Sequence, residues 1–163
     1  LFPQAVEKIL QVYDKDDRIG MVIGSYQVFE KTADGAIQPV LVDGKPFVVT
    51  HDEWSEENGR NNLLRIGGAG APRSIKIRVL EELGWFGMND SPYSRNYGED
   101  YELVNKCAER YRIGRVWEPI YKVVRHSGGT DHMIDQATID INDNAKDHMR
   151  LEALARRKKI NQA

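Results

Sequence analysis

The stretch Ile19-Gly20-Met21-Val22-Ile23-Gly24-Ser25-Tyr26-Gln27-Val28-Phe29 decides the fold class. Met21, Val22 and Ile23 are consecutive, the pattern of a strand covered on both faces. Ahead of it, Pro3 suits a first helical position, and Val6, Ile9, Leu10 and Tyr13 follow on one helical face. The polar run Asp14 to Arg18 ends that helix. A helix feeding such a strand is half of a crossover unit in a parallel sheet, so the expected class is α/β.

Working outward, Asp34-Gly35 and Asp43-Gly44 are turn signals around Ile37 to Val42, with Phe47-Val48-Val49 beyond. They predict an added β-hairpin between residues 36 and 50, either a surface excursion or a flap over a binding site. His51-Asp52-Glu53 could suggest a metal site, but adjacent side chains cannot all face one ion, and surface polarity is the favoured reading. Trp54 is read as a core or rim residue, with stacking on a sugar as the alternative. A short helical stretch follows through Asn61-Asn62-Leu63-Leu64.

Gly67-Gly68-Ala69-Gly70-Ala71-Pro72-Arg73 is glycine-rich. It lacks the Gly-Lys-Ser/Thr ending of a Walker loop and the spacing of a dinucleotide fingerprint. Alone it is a flexible turn, although glycine also lets a ligand approach backbone N–H groups. Arg73 could meet a phosphate or a neighbouring carboxylate. Ser74 to Lys76 is expected as a short strand. Arg78 to Leu83 is expected as a helix with Val79, Leu80 and Leu83 inward and Gly84 as its stop. Trp85-Phe86 then leads into a loop over residues 87–97, rich in Gly, Asn, Ser and Pro.

Tyr97-Gly98-Glu99-Asp100-Tyr101 opens an amphipathic helix, with Val104, Cys107, Ala108 and Tyr111 at helical spacing. A helix N-terminus favours acids, so Glu99-Asp100 has a purely structural explanation as well as a chemical one. Ile113 to Trp117 and Ile120 to His126 read as strand segments broken at Pro119. A histidine after a strand, such as His126, is more often structural than a ligand. From about Ile134 to Ile160 a long helix is expected. Asp135, Asp140, Asp143 and Asp147 load its front half, and Arg156, Arg157, Lys158 and Lys159 its end, the order the helix dipole prefers. A basic tip touching anionic lipid is the alternative.

Composition sets limits. The 163 residues suit one domain with a moderate core; 40% are hydrophobic and the net charge is -2, which gives no global reason to expect nucleic acid. A single cysteine, Cys107, excludes an intrachain disulfide and fits a reducing compartment. No apolar run approaches the roughly 18 residues a membrane span needs, and no secretory signal opens the chain.

The glycine-rich loop, the Glu99-Asp100 pair and the segment Arg125-His126-Ser127-Gly128-Gly129-Thr130-Asp131, in that order, resemble the acceptor-side half of a family 2 glycosyltransferase of the GT-A fold. The resemblance runs from Pro3 to the C-terminal helix. It implies a partial GT-A (Rossmann-like) sheet with flanking helices, an added β-hairpin and a long C-terminal helix. Residues 1–131 would be the acceptor-side part of the catalytic domain, and 132–163 a C-terminal helical extension packed on it.

The family's metal-binding DxD cannot be placed. In the family it stands just before a helix that begins as Leu1-Phe2-Pro3-Gln4 does, so the chain is expected to start immediately after it. The resemblance implies an inverting transfer of a sugar from a nucleotide-sugar donor to a glycan or lipid-linked acceptor hydroxyl. Asp100 would be the general base, and Glu99 would orient it or the acceptor. Gly67, Gly68, Ala69, Gly70, Arg73, Trp85 and Arg125 would bind donor or acceptor. His126 would help hold a divalent ion, Mn²⁺ or Mg²⁺, otherwise bound by residues missing from this chain. Gly129 departs from the family's usual Asn at that point. The implied partners are the two substrates and a missing N-terminal nucleotide-binding half, with no nucleic acid and no transmembrane segment. A cytoplasmic location follows, with a peripheral seat at the inner face of the membrane as a variant, and the isolated fragment is expected to be inactive. The alternative is a non-catalytic carbohydrate-binding or protein-interaction module derived from the same fold.

Overall fold

The central strand of the sheet is β1 (Ile19–Lys31), whose first seven residues are all buried. The computed structural model describes residues 1–52, 60–86, 98–126 and 135–162. Along one edge of β1 runs β7 (Arg112–Arg125), in parallel. Along the other edge lie, end to end and all antiparallel, β2 (Ile37–Pro39), β5 (Val48–Val49) and β6 (Arg73–Ile75). The sheet is thus mixed, and the chain is α/β with a long C-terminal helix, as its pattern implied.

Both faces of the sheet are covered, which explains the unbroken apolar run. Helix α1 (Ala5–Tyr13) closes one face, packing Ala5 and Val12 with Ile19, Val22, Val116 and Ile120. On the other, Met21 and Ile23 meet Val79 and Leu80 of α2 (Ile77–Glu82) and Val104, Cys107 and Ala108 of α3 (Glu99–Arg110). Helix α2 ends in paired bonds from Gly84 N–H to Glu81 O and from Trp85 N–H to Leu80 O, the Schellman arrangement.

Helix α4 (Gln136–Ile160) starts at Asp135, whose carboxylate accepts the Thr138 N–H at 2.7 Å. It lies against α3 through a cluster of Tyr101, Ala145 and Met149. Near its end Arg156 donates to Glu109 of α3 at 2.9 Å. One member of the basic tip is therefore turned inward, a use that charge order along the sequence does not reveal.

Four expectations change. The 36–50 segment is not one hairpin. A turn over residues 32–36 folds β2 onto β1, and the hairpin proper is the small pair β3 (Leu41–Val42) and β4 (Lys45–Pro46) around Asp43-Gly44. Both turn residues have positive φ, 52° and 72°, which is the twist that suits tight hairpins. Helix α1 buries Ala5 and Val12, while Val6 and Leu10 are exposed, because a small residue lets the helix lie closer to the sheet than the larger Val6 would. Pro119 does not break β7. The strand continues with extra residues between Arg115, opposite Ile23, and Pro119, opposite Ser25, so that a bulge absorbs the missing donor. The short strand and helix near residue 75 each start one residue early, at Arg73 and Ile77, and the turn before the glycine-rich loop is a 3₁₀ helix, Arg60–Leu64. Among the described residues no helix is long and apolar enough to cross a membrane.

Candidate functional site

Gly98 sets the entry of α3. Its φ of +85° is left-handed, which favours glycine, and a Cβ there would sit 2.7 Å from Met149 Cε, the flexible tip of a side chain on α4. Asp100 follows in the first turn, partly exposed. The Arg73 guanidinium, at the start of β6, donates to the Asp100 carboxylate. The cation leaving the glycine-rich loop and the acid opening the helix are thus one ion pair, 27 residues apart in sequence.

The loop itself is held from three sides. At Gly70, φ is +98° and a Cβ would fall 2.5 Å from the His51 ring, which also stands against Tyr26 at 5.6 Å between centroids. His51 is therefore a partly buried wedge under the loop and not a side chain left in solvent. Ala69 is fully buried in the core cluster beside Leu63. Lys146 of α4 reaches the loop, its Nζ 3.8 Å from where a Gly67 Cβ would stand.

Behind the loop, Tyr101 and Arg150 tie three elements together. The Tyr101 hydroxyl donates to Leu63 O at 2.9 Å and accepts from Arg150 Nε at 3.1 Å. Arg150 also donates to Ile66 O at 3.1 Å and to Asp147 at 2.5 Å. Burial disfavours the Arg150 charge, but Asp147 and the Tyr101 hydroxyl outweigh it and the guanidinium holds its proton more firmly than usual. The chain entering the glycine-rich loop is thereby fixed to α3 and α4 through its carbonyls.

The remaining candidates are more dispersed. Gly68 is partly buried within the loop. Trp85 follows α2 with φ of 60° and is half exposed. Arg125 ends β7 with its guanidinium 5.7 Å from the Phe47 ring centroid, toward the β4–β5 connection. His126 is exposed just beyond β7. Glu99 is the first residue of α3. Glu53, Trp54, the 87–97 loop and the segment 127–134, with Gly129, lie outside the described residues.

A catalytic metal ion needs about three protein ligands. Among the described residues no three His, Cys, Asp or Glu side chains come together in that way. His126 is one candidate ligand, and the described residues do not by themselves make a metal site.

Sequence reading gave no role to Tyr101, Lys146 or Arg150, and weighed His51 only as a metal ligand or a surface residue. A signal was present for α4. Asn142, Ala145, Lys146, Met149, Arg150 and Ala153 recur at i, i+3, i+4, i+7, i+8 and i+11, one stripe mixing small, apolar and basic side chains. That is the face of a helix which packs and also reaches across a packed neighbour. No family model, curated protein or solved structure matches this chain at a significant level.

Proposed function

We propose that this chain is the acceptor-side part of an inverting glycosyltransferase similar to family 2. It would work with a nucleotide-binding half carried outside the chain and transfer a sugar from a nucleotide-sugar donor to a hydroxyl of a glycan or lipid-linked acceptor. The observation that carries the reading is the ion pair between Arg73 and Asp100, which sets the glycine-rich loop and the acidic helix start side by side. An acceptor hydroxyl between them meets a carboxylate that can take its proton and backbone N–H groups that can hold a polar substrate. As the hydroxyl oxygen bonds to the anomeric carbon, the bond from that carbon to the nucleoside diphosphate breaks. The proton passes to Asp100 and the electron pair leaves with the diphosphate. Positioned bases of this kind contribute about 10²–10⁴ in rate.

Arg73 fixes the direction of the Asp100 carboxylate through a charge-assisted bond. Glu99 orients the base or the acceptor. Gly67 and Gly68, the accessible part of the loop, line the substrate, while Ala69 and Gly70 are buried beneath them and hold the loop in place, with Trp85 and Arg125 toward the periphery. A divalent ion, Mn²⁺ or Mg²⁺, belongs to the proposal as a group held mainly outside this chain, with His126 as this chain's contribution. The described residues do not form a ligand set of their own for it. A cytoplasmic site of action fits the single cysteine, Cys107, which is buried in the core and in no disulfide.

The test is Asp100→Asn in the complete enzyme, assayed by acceptor-dependent release of nucleoside diphosphate. Turnover should fall by about 10²-fold or more with donor affinity nearly unchanged. Near-normal turnover would return Glu99-Asp100 to a structural role and favour the non-catalytic carbohydrate-binding module.

A further inference from the structure

Arg115 and Trp117 of β7 stand on the sheet face that carries the candidate site. Arg73 and Arg115 both pair with Ile23 of β1, one from each edge, and residues paired in this way share a face. Ile23 packs with Val104 and Cys107 of α3, so this is the face of Arg73 and Asp100. Val116 turns to the opposite face, where it joins the cluster of Val12 and α1. Trp117 returns to the first, and its ring centroid stands 4.5 Å from the Arg115 guanidinium. Neighbouring strands lie about 4.8 Å apart, so the backbones of Arg73 and Trp117 are about 10–12 Å from each other.

Arg115 reaches across β1 to hold this position. Its guanidinium donates to Thr50 O, just beyond β5 on the far edge of β1. The next residue, His51, is the wedge under Gly70 of the glycine-rich loop. One set of contacts therefore fixes the indole and the loop relative to each other. Arg115 backs one side of the ring, yet Trp117 is still 45% exposed. Farther along the same face come Gln27 and, opposite it, Lys122, whose ammonium lies 4.1 Å from the Phe29 ring centroid. Charges near Trp117 are matched within the protein, Asp16 with Arg112 at 2.9 Å and Glu118 with Lys8 at 3.0 Å. The surface thus selects by ring stacking and hydrogen bonding more than by charge, which suits a neutral, hydroxyl-rich ligand. A groove of about 360 Å³ opens beside Trp117 and runs back along the first half of β7, giving an oligomeric ligand room to continue.

We propose that Trp117 is the stacking platform for the acceptor, and that the acceptor is an oligosaccharide. One pyranose ring lies on the indole while the hydroxyl that reacts reaches Asp100. The assignment as acceptor rests on the transfer reaction proposed above; saccharide binding at Trp117 does not. A pyranose offers C–H groups to the apolar face of an indole and keeps its hydroxyls at the rim. Arg115 holds the indole in place beforehand, so less freedom is lost on binding.

Calorimetric titration of the 163-residue chain with cellopentaose, maltopentaose and chitopentaose, and with uridine as the non-sugar probe, tests the platform. At least one pentasaccharide should bind saturably at one per chain. Trp117→Ala should weaken it about fivefold or more, and Trp117→Phe should keep it within about threefold. Saccharide should also shift tryptophan emission to the blue, and that shift should vanish in Trp117→Phe although binding persists. Lys45→Ala, on the small hairpin, should change nothing. Binding of none of the pentasaccharides would overturn the proposal. So would equal affinity in Trp117→Ala, an equal loss in Lys45→Ala, a blue shift that survives Trp117→Phe, or Trp117-dependent binding of uridine. In the complete enzyme, Trp117→Ala should raise the acceptor KM about fivefold or more with kcat and the donor KM nearly unchanged. A lower kcat at unchanged acceptor KM would overturn the platform role. The two readings fail separately. Normal turnover in Asp100→Asn, with Trp117-dependent saccharide binding intact, removes the transfer reaction and keeps the platform. Lost turnover in Asp100→Asn, with saccharide binding indifferent to Trp117, does the reverse.

Discussion

Tyr101→Phe tests whether the loop of the candidate site is held from behind as the hydrogen bonds indicate. The ring is 2% exposed, so the substitution removes an oxygen from a dry position without opening space for water. Two bonds are lost, the donation to Leu63 O and the acceptance from Arg150 Nε. A neutral bond of the first kind contributes about 1 kcal/mol, and one from a charged donor about 1.5–3 kcal/mol. Arg150 keeps Asp147 and Ile66 O, which places the second at the low end. The expected loss is about 2–3 kcal/mol, or about 4–12 °C in Tm for a chain of this size. Urea unfolding should show a lower midpoint at constant slope. A cycle with Arg150→Met should return a coupling of about 1 kcal/mol, since each variant removes the same bond. Amide exchange should quicken across Ile66 to Gly70 more than in β1. A loss under about 0.5 kcal/mol, or additive single variants, would refute the network and leave the loop held by the core alone.

Gly98→Ala should cost about 1–3 kcal/mol in the same assay, combining left-handed backbone strain with displacement of the flexible Met149 tip. Arg156→Ala should cost about 2–3 kcal/mol, because the Glu109 side chain is only 6% exposed and loses its counter-charge. Lys158→Ala, on the same helix end, should stay within about 0.5 kcal/mol. Acid stability should respond to Asp16. The side chain and backbone N–H of Arg18, with Arg112 behind them, hold its carboxyl well below the usual carboxylate range. Below about pH 4 the unfolded chain therefore binds the proton first, and stability falls as pH falls. Asp16→Asn should flatten that part of a stability-against-pH curve; an unchanged acid slope would show that the pairing has no thermodynamic weight.

The sequence by itself determined the class of the fold and its centre. Met21-Val22-Ile23 read as a strand covered on both faces, and the periodicity of Val104, Cys107 and Ala108 placed α3, because burial leaves a local pattern that needs no partner to be read. Gly84 marked the end of α2 for the same local reason. Pairings between distant residues leave no such trace. Nothing in Arg73 or Asp100 announces the other, and nothing in His51 announces Gly70. The lane of β2, β5 and β6 along one edge of β1 was likewise invisible, since each piece is too short to carry a period of its own. The bulge that lets β7 pass Pro119 depends on register against β1, which exists only once the two strands meet. Tertiary structure also decided which basic residues of α4 are spent inside the molecule. Arg150 and Arg156 reach α3 because packing brings α3 within the length of an arginine, while the linear charge pattern treats them like Lys158 and Lys159.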